Sequence, residues 1–130
     1  MSDHQAAARR RAWLALLALL VPLSLLVLVA CGPPKPIEVI YYYKTGSEGL
    51  AARLAGVAAL SQEFPGRVTT RTVEAGSAEA QRDLERLEIG TSGLVVRNSR
   101  SVLIYKQGDV AFSIPHTREE IRRALGLPPG

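Results

Sequence analysis

The chain has 130 residues with 16 Lys and Arg, 12 Asp and Glu and one cysteine, a length typical of a single domain. Because the basic surplus is small and interleaved with acidic residues, the net charge of +4 does not indicate a nucleic-acid-binding protein. One cysteine excludes an intramolecular disulfide, a CxxC redox centre and a cysteine-based zinc site. His116 is the only histidine after Cys31, which excludes a histidine-cluster metal site, so we expect no metal and no cofactor.

Residues 1–30 have the pattern of an export signal. Three arginines, residues 9–11, come directly before residues 12–30, which carry no charge and are almost entirely apolar. A basic region, an apolar run and small residues at its end are the features of a signal peptide. The order Leu28-Val29-Ala30-Cys31 also resembles the bacterial lipobox. We therefore predict cleavage between Ala30 and Cys31 and lipidation of Cys31.

An uncleaved membrane anchor is the alternative interpretation, and a buried core helix is a third. A helix of this length spans about 28 Å, close to the thickness of the hydrocarbon core of a bilayer. Signal and anchor agree that the arginines stay in the cytoplasm. We therefore predict a protein of the bacterial cell envelope, membrane-anchored, with its domain on the periplasmic or extracellular side. Residues 31–36 contain three prolines and predict a stiff tether, residues 37–127 the domain, and residues 128–130 a tail.

The domain begins with a predicted strand and helix. Residues 37–44 are rich in β-branched and aromatic side chains, and apolar residues on both faces favour a central strand. Thr45 and Glu48 have the spacing of a capping box, which predicts that the first helix begins there. The helix is expected to run to about Phe64, where Pro65-Gly66 stops it.

A second strand and helix follow. Residues 67–73 have one polar face, which is typical of an edge strand. Ser77 is the predicted N-cap of the second helix. We expect this helix to place Ala80, Leu84 and Leu87 against the sheet.

The last third of the chain predicts a hairpin and a closing helix. The predicted strands of the hairpin are residues 94–97 and 101–106, and a second turn is predicted at residues 107–109. Thr117-Arg-Glu-Glu120 has the spacing of a capping box, and Gly126 is the predicted C-cap. The order βαβαββα predicts an α/β fold. In it the first two strands are parallel, the hairpin is antiparallel and helices cover both faces of a small mixed sheet.

This order over residues 37–125 resembles the thioredoxin fold. In active thioredoxins a CxxC motif lies where the first strand enters the first helix, and the corresponding window is Gly46-Ser47-Glu48-Gly49. Thr91-Ser92-Gly93 takes the place of the loop that carries the family's cis-proline. In an alternative register residues 102–105 follow that loop and residues 94–97 form an additional strand. The resemblance implies a thioredoxin-like domain without dithiol chemistry.

The two loops at these positions are the candidate partner-binding site. Glycine-rich loops can expose backbone to an extended peptide. The alternative for the first loop is an ordinary capped helix start. The candidate residues are Thr45, Gly46, Ser47 and Gly49 in the first loop and Thr91, Ser92 and Gly93 in the second.

Three further patterns are interpreted as structural. Residues 41–43 are tyrosines that alternate between faces of a strand, so they cannot form one stacking platform for nucleic acid. Charged residues 82–88, Asp83 among them, predict a solvated helix face. Ser92 as a nucleophile would need a nearby base, and His116 is expected at the surface before the last helix.

A narrower resemblance concerns residues 37–43, 63–68 and 92–96 with the capped final helix. These segments are similar to the periplasmic thioredoxin-like segment of gliding-motility-type ABC-transporter auxiliary proteins, which are membrane-anchored accessory subunits. The resulting hypothesis is a membrane-tethered, redox-inactive thioredoxin-like module that binds another envelope protein and is not an enzyme. The alternatives are an ABC-transporter auxiliary component and a single-cysteine thiol enzyme that acts through Cys31.

Overall fold

The computed structural model describes residues 34–130, and Lys35–Gly130 form one compact unit. The predicted signal, its cleavage site at Ala30 and the lipidation site Cys31 lie outside the described residues. Along the chain the elements are β1 (Ile37–Tyr43), α1 (Leu50–Glu63), β2 (Val68–Glu74), α2 (Ala78–Arg86), β3 (Gly93–Arg97), β4 (Leu103–Gly108), a 3-10 turn (Asp109–Ala111) and α3 (Ile114–Ala124). This order confirms a mixed α/β fold with a four-stranded sheet and three helices.

The strands lie in the order β2-β1-β3-β4. β1 is parallel to β2, with Ile37 opposite Val68, and antiparallel to β3, with Tyr42 opposite Gly93. β3 and β4 form the antiparallel hairpin. β1 is thus central and β2 is an edge strand, as the sequence predicts. The strand next to β1 in the hairpin is Gly93–Arg97, not residues 102–105.

Each face of the sheet packs against helices and has its own core. On the first, the α1 face, β1 contributes Val39 and Tyr41, which pack with apolar residues of α1 and α3. On the second, the α2 face, Ile40 and Tyr42 pack with Ala80 and other residues of α2. Helices on both faces and a central strand that is apolar on both sides are therefore confirmed.

The predicted capping box at the start of α1 is wrong. The helix begins at Leu50 after an N-cap at Gly49, which has no side-chain capping hydrogen bond. Gly46 and Gly49 have φ values of +81° and +72°, in the left-handed region, so a right-handed helix cannot run through residues 46–49. Ser47 Oγ donates instead to the carbonyl of Lys44 at 2.7 Å, which closes a turn between β1 and α1.

The predicted capping box at residues 117–120 is also wrong, because α3 begins at Ile114. Ser113 is the N-cap, and its Oγ accepts from the amide of His116 at 3.2 Å. Pro115 in the first turn suits this start, since the first amides of a helix have no intrahelical partner. Thr117 lies inside the helix, where its buried hydroxyl donates to the carbonyl of Ser113 at 2.9 Å.

The predicted turn at residues 107–109 begins too early. β4 continues through Gln107 and Gly108, and the 3-10 turn starts at Asp109. Gln107 is buried, and its Nε2 donates to Thr117 Oγ1 at 3.2 Å, which ties the end of β4 to α3. At the other end of α3 the C-cap is Leu125, one residue before the predicted Gly126. Gly126 follows the cap with φ +68°, and the amide of Leu127 donates to the carbonyl of Arg122 at 2.9 Å.

Candidate functional site

The two predicted loops lie at one end of the sheet, where β1 ends and β3 begins. In the first loop Thr45 and Gly46 are exposed. In the second loop Thr91 is exposed, whereas Ser92 and Gly93 are buried. The exposed residues can contact a partner directly, while the buried pair can act only through the shape of the loop.

A groove of about 370 Å³ brings the two loops together. It opens at the carboxyl ends of β1 and β2, and Thr45 and Thr91 both line it. Gly46, Ser47 and Gly49 belong to the same loop as Thr45 but do not line the groove. We call this feature the β1 groove, and its walls are formed by Tyr43, Lys44, Thr45, Glu74, Ala75, Gly76, Gln81 and Thr91.

Gly93 is required by close packing rather than by exposure. A Cβ atom on this residue would lie 2.3 Å from the carbonyl oxygen of Gln107 and 2.4 Å from Cγ2 of Ile89. Its backbone is paired with Tyr42 on one side and with Gly108 on the other. The expectation that Gly93 exposes backbone to a peptide is therefore wrong, because both sides of the strand are already paired.

Ser92 takes part in a polar cluster that the sequence did not reveal. Its hydroxyl donates to Asp109 Oδ2. The other carboxylate oxygen, Asp109 Oδ1, lies 3.1 Å from Arg53 Nη1. Since Arg53 stands in the second turn of α1, Asp109 connects the loop before β3, helix α1 and the 3-10 turn. We call Asp109, Ser92, Arg53, Tyr41 and Phe112 the Asp109 cluster.

Aromatic contacts complete the Asp109 cluster on the α1 face. The rings of Tyr41 and Phe112 are 5.1 Å apart at 50°, and the Arg53 guanidinium lies 5.0 Å from the centre of the Phe112 ring. Tyr41 is fully buried, and its hydroxyl has no hydrogen-bond partner among the described residues. Burial raises the pKa of Tyr41, although the neighbouring Arg53 opposes the increase. The hydroxyl therefore remains protonated at neutral pH.

A second cluster, on the α2 face, corrects the prediction that Asp83 is merely solvated. Asp83 Oδ2 accepts from the hydroxyl of Tyr42 at 2.5 Å and lies 3.7 Å from Arg97 Nη2. Its Oδ1 is 3.0 Å from Arg86 Nη2. Burial alone would raise the pKa of Asp83, but the hydrogen bonds from Tyr42 and Arg86 and the charge of Arg97 lower it overall. Asp83 is thus ionised and anchors α2 to the sheet.

Other candidate chemistry is absent from the part of the chain that the structure describes. Ser92 contacts Asp109 and not His116, which is exposed in the first turn of α3. Within residues 34–130, no three His, Cys, Asp or Glu side chains lie together as a metal site would require. Among the helices of the same residues, none has the length and apolar character needed to cross a membrane.

Comparison with known proteins gives a likeness in fold. No protein-family model and no curated protein matches the chain. The solved structure of a malarial protein is similar to it, with a TM-score of 0.56 and 9% sequence identity. The match covers 70% of this chain and 99% of the malarial chain. At this identity the likeness concerns the fold alone.

Proposed function

We propose that this chain is a membrane-tethered, redox-inactive thioredoxin-like module of the bacterial envelope that binds another envelope protein. The order βαβαββα and a central β1 between β2 and β3 support the thioredoxin likeness. The run of apolar residues before Cys31 supports the tether.

The absence of dithiol chemistry rests on the residues at the start of α1. Gly49 is the N-cap of the helix, and Gly46 stands three residues before it. Whether the four-residue window is placed at 46–49 or begins at the N-cap and covers 49–52, it contains no cysteine. The chain's single sulfhydryl, at Cys31, precedes the domain. A domain of this composition can bind a partner but cannot exchange a disulfide with it.

The observation that carries the partner-binding proposal is the meeting of the two loops in one groove. Thr45 and Thr91 come from different loops, and both line the β1 groove and are exposed. Asp109 accepts a partly buried hydrogen bond from Ser92, the neighbour of Thr91, so one wall of the groove is held in position. A binding surface needs such support, because a preformed surface loses less conformational entropy on association.

Photo-crosslinking in native membranes tests this proposal. A photoreactive amino acid at Thr91 is expected to capture one defined envelope protein, whereas the same probe at Thr69, exposed on β2 away from the loops, gives at least tenfold less product. Identification of that protein as a transporter subunit would assign the auxiliary role. Recovery of monomer alone from Thr45 and Thr91, or equal capture from Thr69, would contradict the proposal.

A further inference from the structure

The β1 groove lies where the connections of the sheet change sides. β1 and β2 are parallel neighbours, so their carboxyl ends meet at the same edge of the sheet. The chain leaves β1 towards α1, on the α1 face, and leaves β2 towards α2, on the α2 face. The groove therefore lies outside the carboxyl ends of two parallel strands, which is the edge at which open α/β sheets bind their ligands.

Both backbone polar groups of Ala75, which lines the groove, are already occupied. The amide of Ala75 donates to the carbonyl of Tyr43 at 2.8 Å. The carbonyl of Ala75 accepts from Gln81 Nε2 at 2.7 Å. The side chains that line the groove offer a ligand further groups, of which Lys44 and Glu74 are charged and Thr45 and Thr91 carry hydroxyls.

The charges of the rim select the ligand. Lys44 and Glu74 are both exposed, and neither forms an ion pair with another of residues 34–130. An anion would be repelled by Glu74 and a cation by Lys44. An uncharged ligand would cover both charges without giving either a partner, which is unfavourable. A ligand that carries both an ammonium and a carboxylate gives each charge a partner of opposite sign.

We propose that the β1 groove binds a small zwitterion of the class of free amino acids and short peptides. Its carboxylate pairs with Lys44 and its ammonium with Glu74, while the hydroxyls of Thr45 and Thr91 add hydrogen bonds. The volume of about 370 Å³ lies at the lower end of the range for small-molecule sites, about 300–1,000 Å³. This ligand would compete with the proposed protein partner for Thr45 and Thr91, and its binding is measured without that partner.

Binding of matched dipeptides tests the proposal. The full-length chain in detergent micelles is titrated with alanyl-alanine, with its N-acetyl form, which lacks the ammonium, and with its C-terminal amide, which lacks the carboxylate. Saturable NMR shifts are expected for alanyl-alanine at the amides of Lys44, Thr45, Gly76 and Thr91, with at least tenfold weaker binding of both blocked forms. Alanine and tetra-alanine are titrated in the same way. Tighter binding of alanine would identify the ligand as a free amino acid, and tighter binding of tetra-alanine would identify it as a peptide.

Substitutions of the two charged residues assign the contacts. Lys44→Gln is expected to reduce the affinity for alanyl-alanine to that of the amide form, and Glu74→Gln to reduce it to that of the acetylated form. Lys35→Gln, an exposed lysine before β1, is the matched control and leaves the affinity unchanged. The proposal is overturned if alanyl-alanine gives no saturable shift, if a blocked form binds within twofold of it, or if the shifts map to another surface.

Discussion

Tyr41 and Tyr42 are adjacent in β1 and equally buried, yet their hydroxyl groups have different surroundings on the two faces of the sheet. On the α2 face the Tyr42 hydroxyl donates to Asp83 at 2.5 Å. On the α1 face the Tyr41 hydroxyl lies in the Asp109 cluster without a hydrogen-bond partner among the described residues. A buried hydroxyl without a partner costs about 1–3 kcal/mol, so the two faces contribute differently to stability.

The less satisfied face is the one that positions the candidate site. Asp109 contacts Ser92 in the loop before β3 and Arg53 in α1, and these two elements flank the exposed loops. Departures from full polar satisfaction are expected at functional sites. We infer that the Asp109 cluster holds the loops in position, whereas Asp83 anchors α2 to the sheet.

Gly93→Ala is expected to have the largest effect on stability, because it introduces a steric clash into the close packing beside Tyr42. The added Cβ would lie 2.3 Å from a backbone oxygen that cannot move alone, so we expect a loss of about 3 kcal/mol in the free energy of unfolding. Urea unfolding of the unit Lys35–Gly130, followed by circular dichroism, measures it. Gly76→Ala, where the new Cβ has no contact closer than 3.9 Å and φ is not positive, is the control and should change stability by less than about 0.5 kcal/mol. Equal effects of the two substitutions would refute the packing role of Gly93.

Asp83→Ala should have the next largest effect on stability, because it removes the acceptor of a buried tyrosine hydroxyl on the α2 face. That hydroxyl would then lack a partner, as the Tyr41 hydroxyl does among the described residues on the α1 face. The substitution leaves the buried Tyr42 hydroxyl without its acceptor, at a cost of about 2 kcal/mol in unfolding free energy. Glu85→Ala, an exposed carboxylate on the same helix, should change stability by less than about 0.5 kcal/mol. A loss of similar size from Glu85→Ala would mean that the effect reflects the charge of the helix and not the bond to Tyr42.

A smaller change in the free energy of unfolding is expected when the pH is lowered, because Asp83 then becomes protonated. The pKa of Asp83 is lower in the folded protein than in the unfolded chain, where an aspartate titrates near pH 4. Its contribution to stability is therefore fully present above about pH 4 and is lost as the pH falls through the lowered folded value. The difference in unfolding free energy between the wild type and Asp83→Asn should narrow as the pH falls below about 4. A difference that stays constant over this range would contradict the assignment.

Much of the fold could be predicted because hydrophobic periodicity is local. The apolar alternation of residues 37–43 gave a central strand with two covered faces, and Ser77 marked the start of α2. The two false capping boxes show the limit of that method. Both have the right residue types, but left-handed glycines before Leu50 exclude the first. For the second, the N-cap of α3 is Ser113, four residues before the predicted cap at Thr117.

The candidate site could be predicted only in part, since its polar contacts join residues distant in sequence. Thr45 and Thr91 were found from loop composition and do meet in one groove. Arg53 and Asp109 gave no local signal, because each pattern around them is that of an ordinary helix or turn. Glu74 was missed for the same reason: it ends a strand, and its place in the groove depends on how β2 pairs with β1.

Tyr41→Phe is expected to cause the smallest change in stability, and its comparison with Tyr42→Phe tests the difference between the two faces most directly. Tyr41→Phe removes a buried hydroxyl that has no partner, so the free energy of unfolding should stay within about 0.5 kcal/mol or rise. Tyr42→Phe removes the donor to Asp83 and should lower it by about 2 kcal/mol. Urea unfolding of the two variants under identical conditions decides the matter. A loss for Tyr41→Phe as large as that for Tyr42→Phe would contradict the account.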